Sequence, residues 1–379
     1  MYKVDSYING KSSSESNKTG KIYNPSYGTQ IGEVLYATNG VANKAVESSY
    51  EASKAWSKTG LSYRAELILK FRQGVINKSN EIIEICITEA GKTRPDAEAE
   101  FDRAVQALTH AAGVQHFYPS NYSQNVAGGI DIADLRFPIG VIAGVGPFNF
   151  PILIPILHSA MALVTGNTYI AKPSEKVPSI SRLYADIWKE AGLPDGCYNV
   201  LNGEKEIVEL LVRHEKVDGL AFIGSTAAAK SLKMLGVENN TKVQALGGGK
   251  NHMIVLPDAD LEMSADAAVS ASFGAAGQRC MAVSVVVAVG DIADELISKI
   301  QSRMPDLVMG VTDDEKTQLG PVISQVNKDR IYSFIDSAEP DGASLVVDGR
   351  HRSNSLEGCF VGPTLIDNVK PGMSVYENE

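Results

Sequence analysis

The sequence has few cysteines and no long apolar run. Its four cysteines are scattered over 379 residues, and their spacing fits neither a metal site nor a disulfide framework. We therefore expect reduced thiols, no bound metal and a cytoplasmic protein. The most apolar stretch, residues 141–164, is interrupted by Asn149, His158 and several prolines and glycines, and residues 1–5 begin no apolar segment of the signal-peptide type. We expect no segment that spans a bilayer.

Positive charge is also scarce. Lys and Arg number 35 against 45 Asp and Glu, and the formal net charge of −10 argues against a nucleic-acid-binding surface. A local basic patch can still bind an anionic cofactor. The apolar fraction of 44% and the charged fraction of 21% are those of an ordinary globular protein and exclude a mainly disordered chain. The length allows two domains.

From residue 139 onward, strand-like and helix-like segments alternate. Five apolar segments end in small or polar residues: VIAGVG, TYIAKPS, CYNVLNG, GLAFIGS and KVQALGG. Helical patterns fill the intervals, including residues 179–191 and 205–214. This alternation predicts an α/β fold with βαβ units and a parallel sheet, in which ligands bind beyond the carboxyl ends of the strands. Elsewhere, residues 41–108 have helical spacing, Asn9-Gly10 fits a tight hairpin turn, and residues 121–136 predict a β-hairpin outside the main core.

The residues that follow these strands are candidates for binding and catalysis. Asn149 in GPFNFP either donates a hydrogen bond to a developing oxyanion or caps the helix that follows it. Lys172 and Glu175 in AKPSE either grip the hydroxyls of a ribose or are solvated at the surface. FIGSTAAAK leads into a helix whose first N–H groups can face a pyrophosphate. The G-x-G-x-x-G fingerprint of dinucleotide sites is absent.

Cys280 is the most informative single residue. It lies in FGAAGQRCMAVSVVVAV, between a small Gly/Ala-rich approach and a run that predicts a buried strand. A thiol at the edge of a strand, with little bulk around it and Arg279 beside it, suits a nucleophile, because the thiolate is the reactive form. A buried structural cysteine is the alternative that these residues alone leave open.

Seven segments together resemble the aldehyde dehydrogenase superfamily. GPFNFP, AKPSE, FIGS, LGGGK, GQRC, LGPVIS and GCFVGPTL follow one another in the family's order across nearly the whole chain. The resemblance implies an α/β fold with a Rossmann-type NAD-binding domain, an α/β catalytic domain and a small β-hairpin for oligomerisation. The NAD-binding domain would comprise residues 1–118 and 139–247, the hairpin residues 119–138, and the catalytic domain residues 248–379.

The resemblance also implies roles for single residues. Cys280 would be the nucleophile, and Asn149 and the backbone N–H of Cys280 would stabilise the oxyanion. Lys172 and Glu175 would bind the adenosine ribose, which favours NAD over NADP because a carboxylate repels a 2′-phosphate. The implied cofactor-binding residues are Phe148, Lys172, Glu175, Phe222, Gly224, Ser225, Leu246 and Glu379.

One departure from the family pattern indicates whether water or a thiol cleaves the thioester intermediate. Hydrolytic members carry a glutamate in a Glu-Leu-Gly-Gly-Lys motif, where it activates water. Aligned on Lys250, this chain has Leu246 at that position. Leucine cannot accept a proton, and no acid in QALGGGKNH replaces the glutamate. A thiol such as coenzyme A needs less activation than water, so the departure points to thiolysis.

Three further segments, KNHMIVLPDADL, GAAGQRCMAVS and LVVDG, resemble the CoA-acylating branch of the family, which oxidises methylmalonate or malonate semialdehyde. The products would be propionyl-CoA or acetyl-CoA, CO2 and NADH. This resemblance implies that Arg103 and Arg279 clasp the substrate carboxylate, which guanidinium groups bind in bidentate fashion. Arg103 has an alternative role in an ion pair on its own helix with Glu98, Glu100 or Asp102.

The same alignment predicts that the chain is truncated at its C-terminus, because family members continue beyond the residues that match 375–379. We expect the complete protein to be a homodimer or a homotetramer. Two other functions stay open: a hydrolytic NAD-dependent semialdehyde dehydrogenase, which would need a water-activating base, and a catalytically silent NAD-binding fragment that keeps the fold.

Overall fold

The computed structural model describes residues 1–117, 119–353 and 355–378. Its strands are β1 Tyr2–Val4, β2 Ser6–Ile8, β3 Lys11–Ser13, β4 Ser16–Asn24, β5 Thr29–Ala37, β6 Tyr122–Ala127, β7 Ile130–Ala133, β8 Val141–Val145, β9 Thr168–Lys172, β10 Tyr198–Val200, β11 Gly219–Ile223, β12 Lys242–Leu246, β13 Asn251–Val255, β14 Val283–Ala288, β15 Ser344–Val347 and β16 Leu365–Asp367. Its helices are α1 Asn39–Trp56, α2 Leu61–Asn77, α3 Ser79–Ala90, α4 Arg94–Ala112, α5 Val114–Phe117, α6 Leu153–Val164, α7 Ser179–Ala191, α8 Lys205–Arg213, α9 Thr226–Glu238, α10 Leu261–Phe273, α11 Ala293–Arg303, α12 Gln325–Ala338, α13 Arg350–Ser353 and α14 Ser374–Glu377.

The chain forms two compact units. Unit 1 consists of Met1–Ile22, Gly32–Ile82 and Ala99–Gly247, and unit 2 of Tyr23–Ile31, Ile83–Glu98 and Gly248–Glu379. These units are defined by internal contacts, and the functional division into NAD-binding domain, hairpin and catalytic domain stays a prediction. No helix in the described ranges has the length and apolar character that crossing a bilayer requires.

A seven-stranded sheet is the centre of unit 1. Its strand order is β12-β11-β8-β9-β10-β2-β3, and β12 to β10 pair in parallel. These five parallel strands are the five that the apolar segments predict. From β8, the chain adds β9 and β10 on one side and β11 and β12 on the other, so the strand order reverses at β8. In open α/β sheets such a reversal opens a crevice for ligands at the carboxyl ends of the strands.

The apolar pattern of the sequence explains how this sheet is covered. Every residue of β9 is buried, as expected for a strand with helices on both faces. Helix α8 buries Ile207, Val208, Leu211 and Val212, which recur at helical spacing along one stripe. The stripe joins the core cluster that contains strands β8 and β11. Burial of such a stripe holds the strand ends, and the loops that follow them, in fixed positions.

Two predicted hairpins are confirmed. Asn9 and Gly10 connect β2 to β3 with φ values of 48° and 77°, the left-handed conformations that a tight hairpin needs. Strands β6 and β7 form an antiparallel hairpin within residues 121–136, and every residue of both strands is exposed. The hairpin therefore lies outside the core of unit 1, as the sequence predicts.

Unit 2 contains a parallel pair of strands, β13 and β14, packed on helices α10 and α11. The prediction that the run after Cys280 is a buried strand is wrong: no residue of β14 is fully buried. The reason is that this two-stranded sheet is covered on one face. Val286 and Ala288 pack against the helices, whereas Val287 on the opposite face is exposed.

Candidate active site

The carboxyl ends of four adjacent strands in unit 1 carry most of the predicted cofactor residues. Phe148 and Asn149 follow β8, and Lys172 ends β9. Phe222 lies in β11, and Leu246 ends β12. Because β12, β11, β8 and β9 are neighbours and parallel, these residues meet at one edge of the sheet, next to the reversal of strand order. The structure thus brings together side chains that are separated by almost one hundred positions in the sequence.

Lys172 and Glu175 form an ion pair at this edge. The ammonium of Lys172 lies 3.5 Å from a Glu175 carboxylate oxygen. Burial lowers the pKa of the Lys172 ammonium, and the Glu175 carboxylate acts in the opposite direction. The Lys172 side chain is buried, whereas that of Glu175 is 37% exposed. A buried cation beside a reachable carboxylate is a donor–acceptor pair suited to the two hydroxyls of a ribose.

In the turn after β11, a glycine lets the backbone pass close to the Phe222 ring. Gly224 donates its N–H to the Leu246 carbonyl at 3.1 Å, and a Cβ atom on Gly224 would lie 2.5 Å from the Phe222 ring. Ser225 caps helix α9 by accepting a hydrogen bond from the Ala228 N–H at 3.4 Å. Ser225 and the first two residues of α9 are exposed. The positive end of a 13-residue helix is therefore open to an anion at the edge of the sheet.

Asn149 does not occupy the cap position of the helix that follows it. The N-cap residue of α6 is Ile152, and the N–H groups of Ile152 and Leu153 donate to the Glu100 carboxylate at 2.8 and 2.9 Å. Glu100 therefore satisfies the helix start from a distant part of the chain. The capping role that the sequence left open for Asn149 belongs to Glu100. Asn149 lies in the bend after β8 and is partly exposed.

Leu246 presents an apolar side chain where hydrolytic family members carry a base. It ends β12 opposite Ile223 of β11, and its side chain is 52% exposed. A leucine left this open gains little from burial. At this edge of the sheet it offers a surface that can neither accept a proton nor orient water.

The predicted nucleophile lies in a β-turn of unit 2. The N–H of Ala282 donates to the Arg279 carbonyl at 3.0 Å, which places Cys280 at the second position of the turn. Cys280 is exposed, whereas Cys86, Cys197 and Cys359 are buried. Burial raises the pKa of the Cys197 thiol to about 12, so that thiol stays protonated and unreactive near neutral pH. The alternative that Cys280 is a buried structural cysteine is wrong.

This difference in exposure predicts selective labelling. Iodoacetamide should modify one thiol of the four in the native chain rapidly, and peptide mapping should locate the label at Cys280. Denatured chain, in which all four thiols are open, is the control. Rapid native labelling of Cys86, Cys197 or Cys359 would contradict the described burial.

Arg279 is held by Asp96. Its guanidinium pairs with one Asp96 carboxylate oxygen, and the other oxygen accepts the Ala275 N–H at 3.1 Å. Asp96 lies in the first turn of α4 and also contacts the Thr93 hydroxyl at 3.1 Å. Only one guanidinium nitrogen of Arg279 is used in this pair. Since a guanidinium has five N–H donors, Arg279 keeps donors for a second carboxylate.

Arg103 is exposed on α4 and donates to the Gln106 side chain at 3.0 Å. Two of the acidic partners considered for it are engaged elsewhere. Glu98 lies 3.9 Å from the Arg94 guanidinium, and Glu100 binds the start of α6. Binding of a substrate carboxylate by Arg103 therefore stays a prediction.

Glu379 lies outside the described residues. The segment before it is attached to Lys250, whose ammonium donates to the carbonyls of Val375 and Asn378 at 2.6 and 2.7 Å.

The sequence did not predict the two residues that hold the Cys280 turn, Asp96 and Asn251. Both contacts join distant positions, and the only local signal was that Asn251 lies in the KNHMIVL segment.

Comparisons with known proteins identify the family of this chain. The model of the aldehyde dehydrogenase family matches residues 12–379. The malonate-semialdehyde dehydrogenase of Bacillus pumilus (strain SAFR-032) is 38% identical over 379 residues, which cover 99% of this chain and 78% of that protein. The solved methylmalonate-semialdehyde dehydrogenase of Oceanimonas doudoroffii has a TM-score of 0.97 at 38% identity, over 100% of this chain and 78% of that one.

A second solved structure is a candidate methylmalonate-semialdehyde dehydrogenase of Sinorhizobium meliloti 1021 complexed with NAD. It gives a TM-score of 0.96 at 38% identity, over 100% of this chain and 78% of that chain. These similarities confirm the resemblance and the α/β fold that the seven ordered segments predicted. The chain belongs to the aldehyde dehydrogenase family.

Proposed function

We propose that this chain oxidises malonate semialdehyde or methylmalonate semialdehyde with NAD and transfers the acyl group to coenzyme A. The observation that carries the proposal is an exposed cysteine turn in a chain that has a half-exposed leucine at the position of the hydrolytic base. The names of the B. pumilus and O. doudoroffii relatives support the substrate class.

NAD fits the edge of the unit 1 sheet. Lys172 and Glu175 would hold the adenosine ribose, and the start of α9 at Gly224 and Ser225 would face the pyrophosphate. Phe148, Phe222, Leu246 and Glu379 are proposed as further contacts. The NAD complex of the S. meliloti protein supports this choice of cofactor. When bound, NAD accepts the hydride released from the aldehyde carbon.

In the proposed reaction, the Cys280 thiolate attacks the aldehyde carbon. The Asn149 side-chain amide and the Cys280 N–H donate to the oxygen that becomes negative. Loss of hydride leaves a thioester on Cys280. The substrate carboxylate, which is beta to the thioester carbonyl, leaves as CO2 because that carbonyl delocalises the developing carbanion, and this carbon then takes up a proton from water to give the acetyl or propionyl thioester. The thiolate of coenzyme A then attacks the thioester, which releases acyl-CoA and frees Cys280.

The substrate carboxylate needs a cationic partner before it leaves. We propose Arg279 and Arg103 for this role. The pairing of Arg279 with Asp96 supports it, because the pair fixes one edge of the guanidinium and leaves other donors for the substrate.

A steady-state assay tests the function. NADH formation from malonate semialdehyde should depend on coenzyme A and should yield acetyl-CoA. Turnover at the same rate in CoA-free buffer, with free acid as the product, would establish the hydrolytic alternative. No NADH under either condition would indicate the silent NAD-binding alternative.

The cofactor assignment predicts the effect of Glu175→Gln. We expect the preference for NAD over NADP, measured as the ratio of kcat/KM values, to fall by roughly tenfold or more, because like charges about 4 Å apart repel by ~1–4 kcal/mol. The amide keeps the size of the side chain and removes the charge that repels a 2′-phosphate.

Glu209→Gln is the matched control. Glu209 pairs with Lys205 at 3.4 Å and is 36% exposed, and Glu175 pairs with Lys172 at 3.5 Å and is 37% exposed, so the two glutamates match although Lys205 is more exposed than Lys172. Its substitution should leave the cofactor ratio unchanged. An unchanged ratio in Glu175→Gln would remove Glu175 from the ribose site.

We also propose that the protein is cytoplasmic and forms a homodimer or homotetramer through residues 119–138. The scattered spacing of the four cysteines, which fits no disulfide framework, supports a reducing compartment. Large apolar side chains exposed on and after the hairpin support a self-association surface. These are Tyr122, Val126, Ile130, Ile132, Leu135 and Phe137.

A further inference from the structure

In the turn that carries Cys280, the two central residues have no apolar anchor, and only Ala282 at its end is buried. Cys280 is exposed, and the side chain of its neighbour Met281 is 80% exposed. Apolar packing therefore reaches the end of the turn but does not hold the cysteine side chain itself. The position of the turn depends on hydrogen bonds to its backbone.

The backbone of the residues before the turn is strained. Ala275, Ala276 and Gly277 are consecutive left-handed residues with φ values of 52°, 54° and 72°. Residues with a Cβ atom rarely adopt this conformation, and they keep it only where the surroundings impose it. Here Asp96 accepts the Ala275 N–H at 3.1 Å, and the Gln278 side chain accepts the Ile323 N–H at 2.9 Å. The N-terminal side of the turn is thus tied to two other segments of unit 2.

On the C-terminal side, one side chain ties the turn. The Asn251 side-chain amide nitrogen donates to the Cys280 carbonyl and to the Ala282 carbonyl, both at 2.9 Å. Both N–H groups of the amide are thereby used. Asn251 is the first residue of β13, and it lies opposite Val283 at an irregularity in the pairing of β13 with β14. The bond to Cys280 restrains the peptide that leaves the cysteine, and the bond to Ala282 fixes the start of β14.

We propose that Asn251 is a positioning residue for the Cys280 nucleophile. Its described hydrogen bonds go to backbone carbonyls of the turn and not to the thiol. It acts by holding the turn so that the thiol and the Cys280 N–H keep one orientation relative to the rigid pair β13 and β14. The catalytic significance of these two hydrogen bonds rests on the proposed function, whereas the hydrogen bonds themselves are a property of the fold.

Two variants test the proposal. Asn251→Ala removes both donors. Asn251→Asp keeps the size of the side chain but directs carboxylate oxygens at the two carbonyls, so it separates loss of donors from loss of packing. Asn239→Ala is the matched control, since Asn239 also donates its side-chain amide to a backbone carbonyl, that of Leu235 at 2.8 Å.

The first readout is hydrogen–deuterium exchange of the peptide that covers residues 278–284. We expect exchange in both Asn251 variants to accelerate by roughly tenfold or more, because local opening governs protection. The Asn239 control should match the unsubstituted chain. Unchanged protection in both Asn251 variants would overturn the proposal whatever the function of the protein.

The second readout separates orientation from general damage. Without coenzyme A, the rate constant of the NADH burst should fall by roughly tenfold to 100-fold in both variants, because small misplacements of reacting groups carry costs of this order. The KM for NAD and the rate of iodoacetamide alkylation of Cys280 should change by less than about threefold, since the thiol is already exposed. Faster exchange with an unchanged burst would overturn the positioning role. The absence of a burst from the unsubstituted chain would instead overturn the proposed function.

Discussion

Replacing Cys280 with alanine is expected to reduce NADH formation by roughly 10⁴-fold or more, the range seen when an essential nucleophile is removed. The variant loses the atom on which the thioester forms, and no other described cysteine can substitute, because Cys86, Cys197 and Cys359 are buried. The free energy of unfolding should change by less than about 0.5 kcal/mol, as for other exposed positions. A burst assay with malonate semialdehyde and a thermal melt measure the two quantities.

Met281→Ala is the control for this substitution. Met281 adjoins Cys280 in the same turn, and its side chain is more exposed than most in the chain. Its truncation should leave both the burst and the melting temperature close to those of the unsubstituted chain. A Cys280→Ala variant that still produces NADH would mean that the reaction does not proceed through this thiol.

Replacing Asn149 with alanine is expected to slow acyl-enzyme formation by roughly 10²–10³-fold, the usual cost of removing one oxyanion donor. The effect should appear in the rate constant of the NADH burst, with little change in the KM for NAD. Asn149→Asp, which is nearly isosteric, should be at least as slow, because it places a negative charge where the oxyanion develops.

A stability measurement separates this role from capping of α6. Loss of a helix cap costs about 1 kcal/mol. The structure gives the capping role to Glu100, which accepts the N–H groups of Ile152 and Leu153. Glu100→Ala should therefore lower the melting temperature more than Asn149→Ala does. A destabilised Asn149→Ala variant with a normal burst would contradict the catalytic assignment.

The sequence predicted the parts of the fold that local pattern determines. Strands β8 to β12 were predictable because short apolar runs ended in small residues and alternated with helical spacing. The turn at Asn9-Gly10 was predictable because few residues tolerate two successive left-handed conformations. The exposed hairpin within residues 121–136 was predictable from the loose alternation on both sides of Gly128 and Gly129.

The remaining features depend on contacts between distant positions. Nothing near Asp96 indicates that it will hold Arg279, because 183 positions separate them. Glu100 reads as a helix-surface charge, although its carboxylate caps a helix 52 positions away. The exposure of β14 was also unpredictable, since its valine-rich sequence fits a buried strand equally well, and only the folded chain shows that helices cover one face of its sheet.

The candidate site divides in the same way. The residues that carry the chemistry were predictable, because a thiol between small residues suggests a nucleophile and a lysine followed by a glutamate suggests a ribose site. The residues that hold them in place were not predictable. Asn251 and Asp96 hold the nucleophile turn from other segments of unit 2, and only the folded chain shows these hydrogen bonds.

The most direct test of the proposed reaction is mass analysis of the Cys280 peptide after one turnover without coenzyme A. The reaction predicts one NADH per chain and an acyl group on Cys280 that persists in CoA-free buffer. It further predicts that added coenzyme A removes this group as acetyl-CoA when malonate semialdehyde is the substrate. Release of free acid into CoA-free buffer as fast as NADH forms, with no adduct on Cys280, would contradict it.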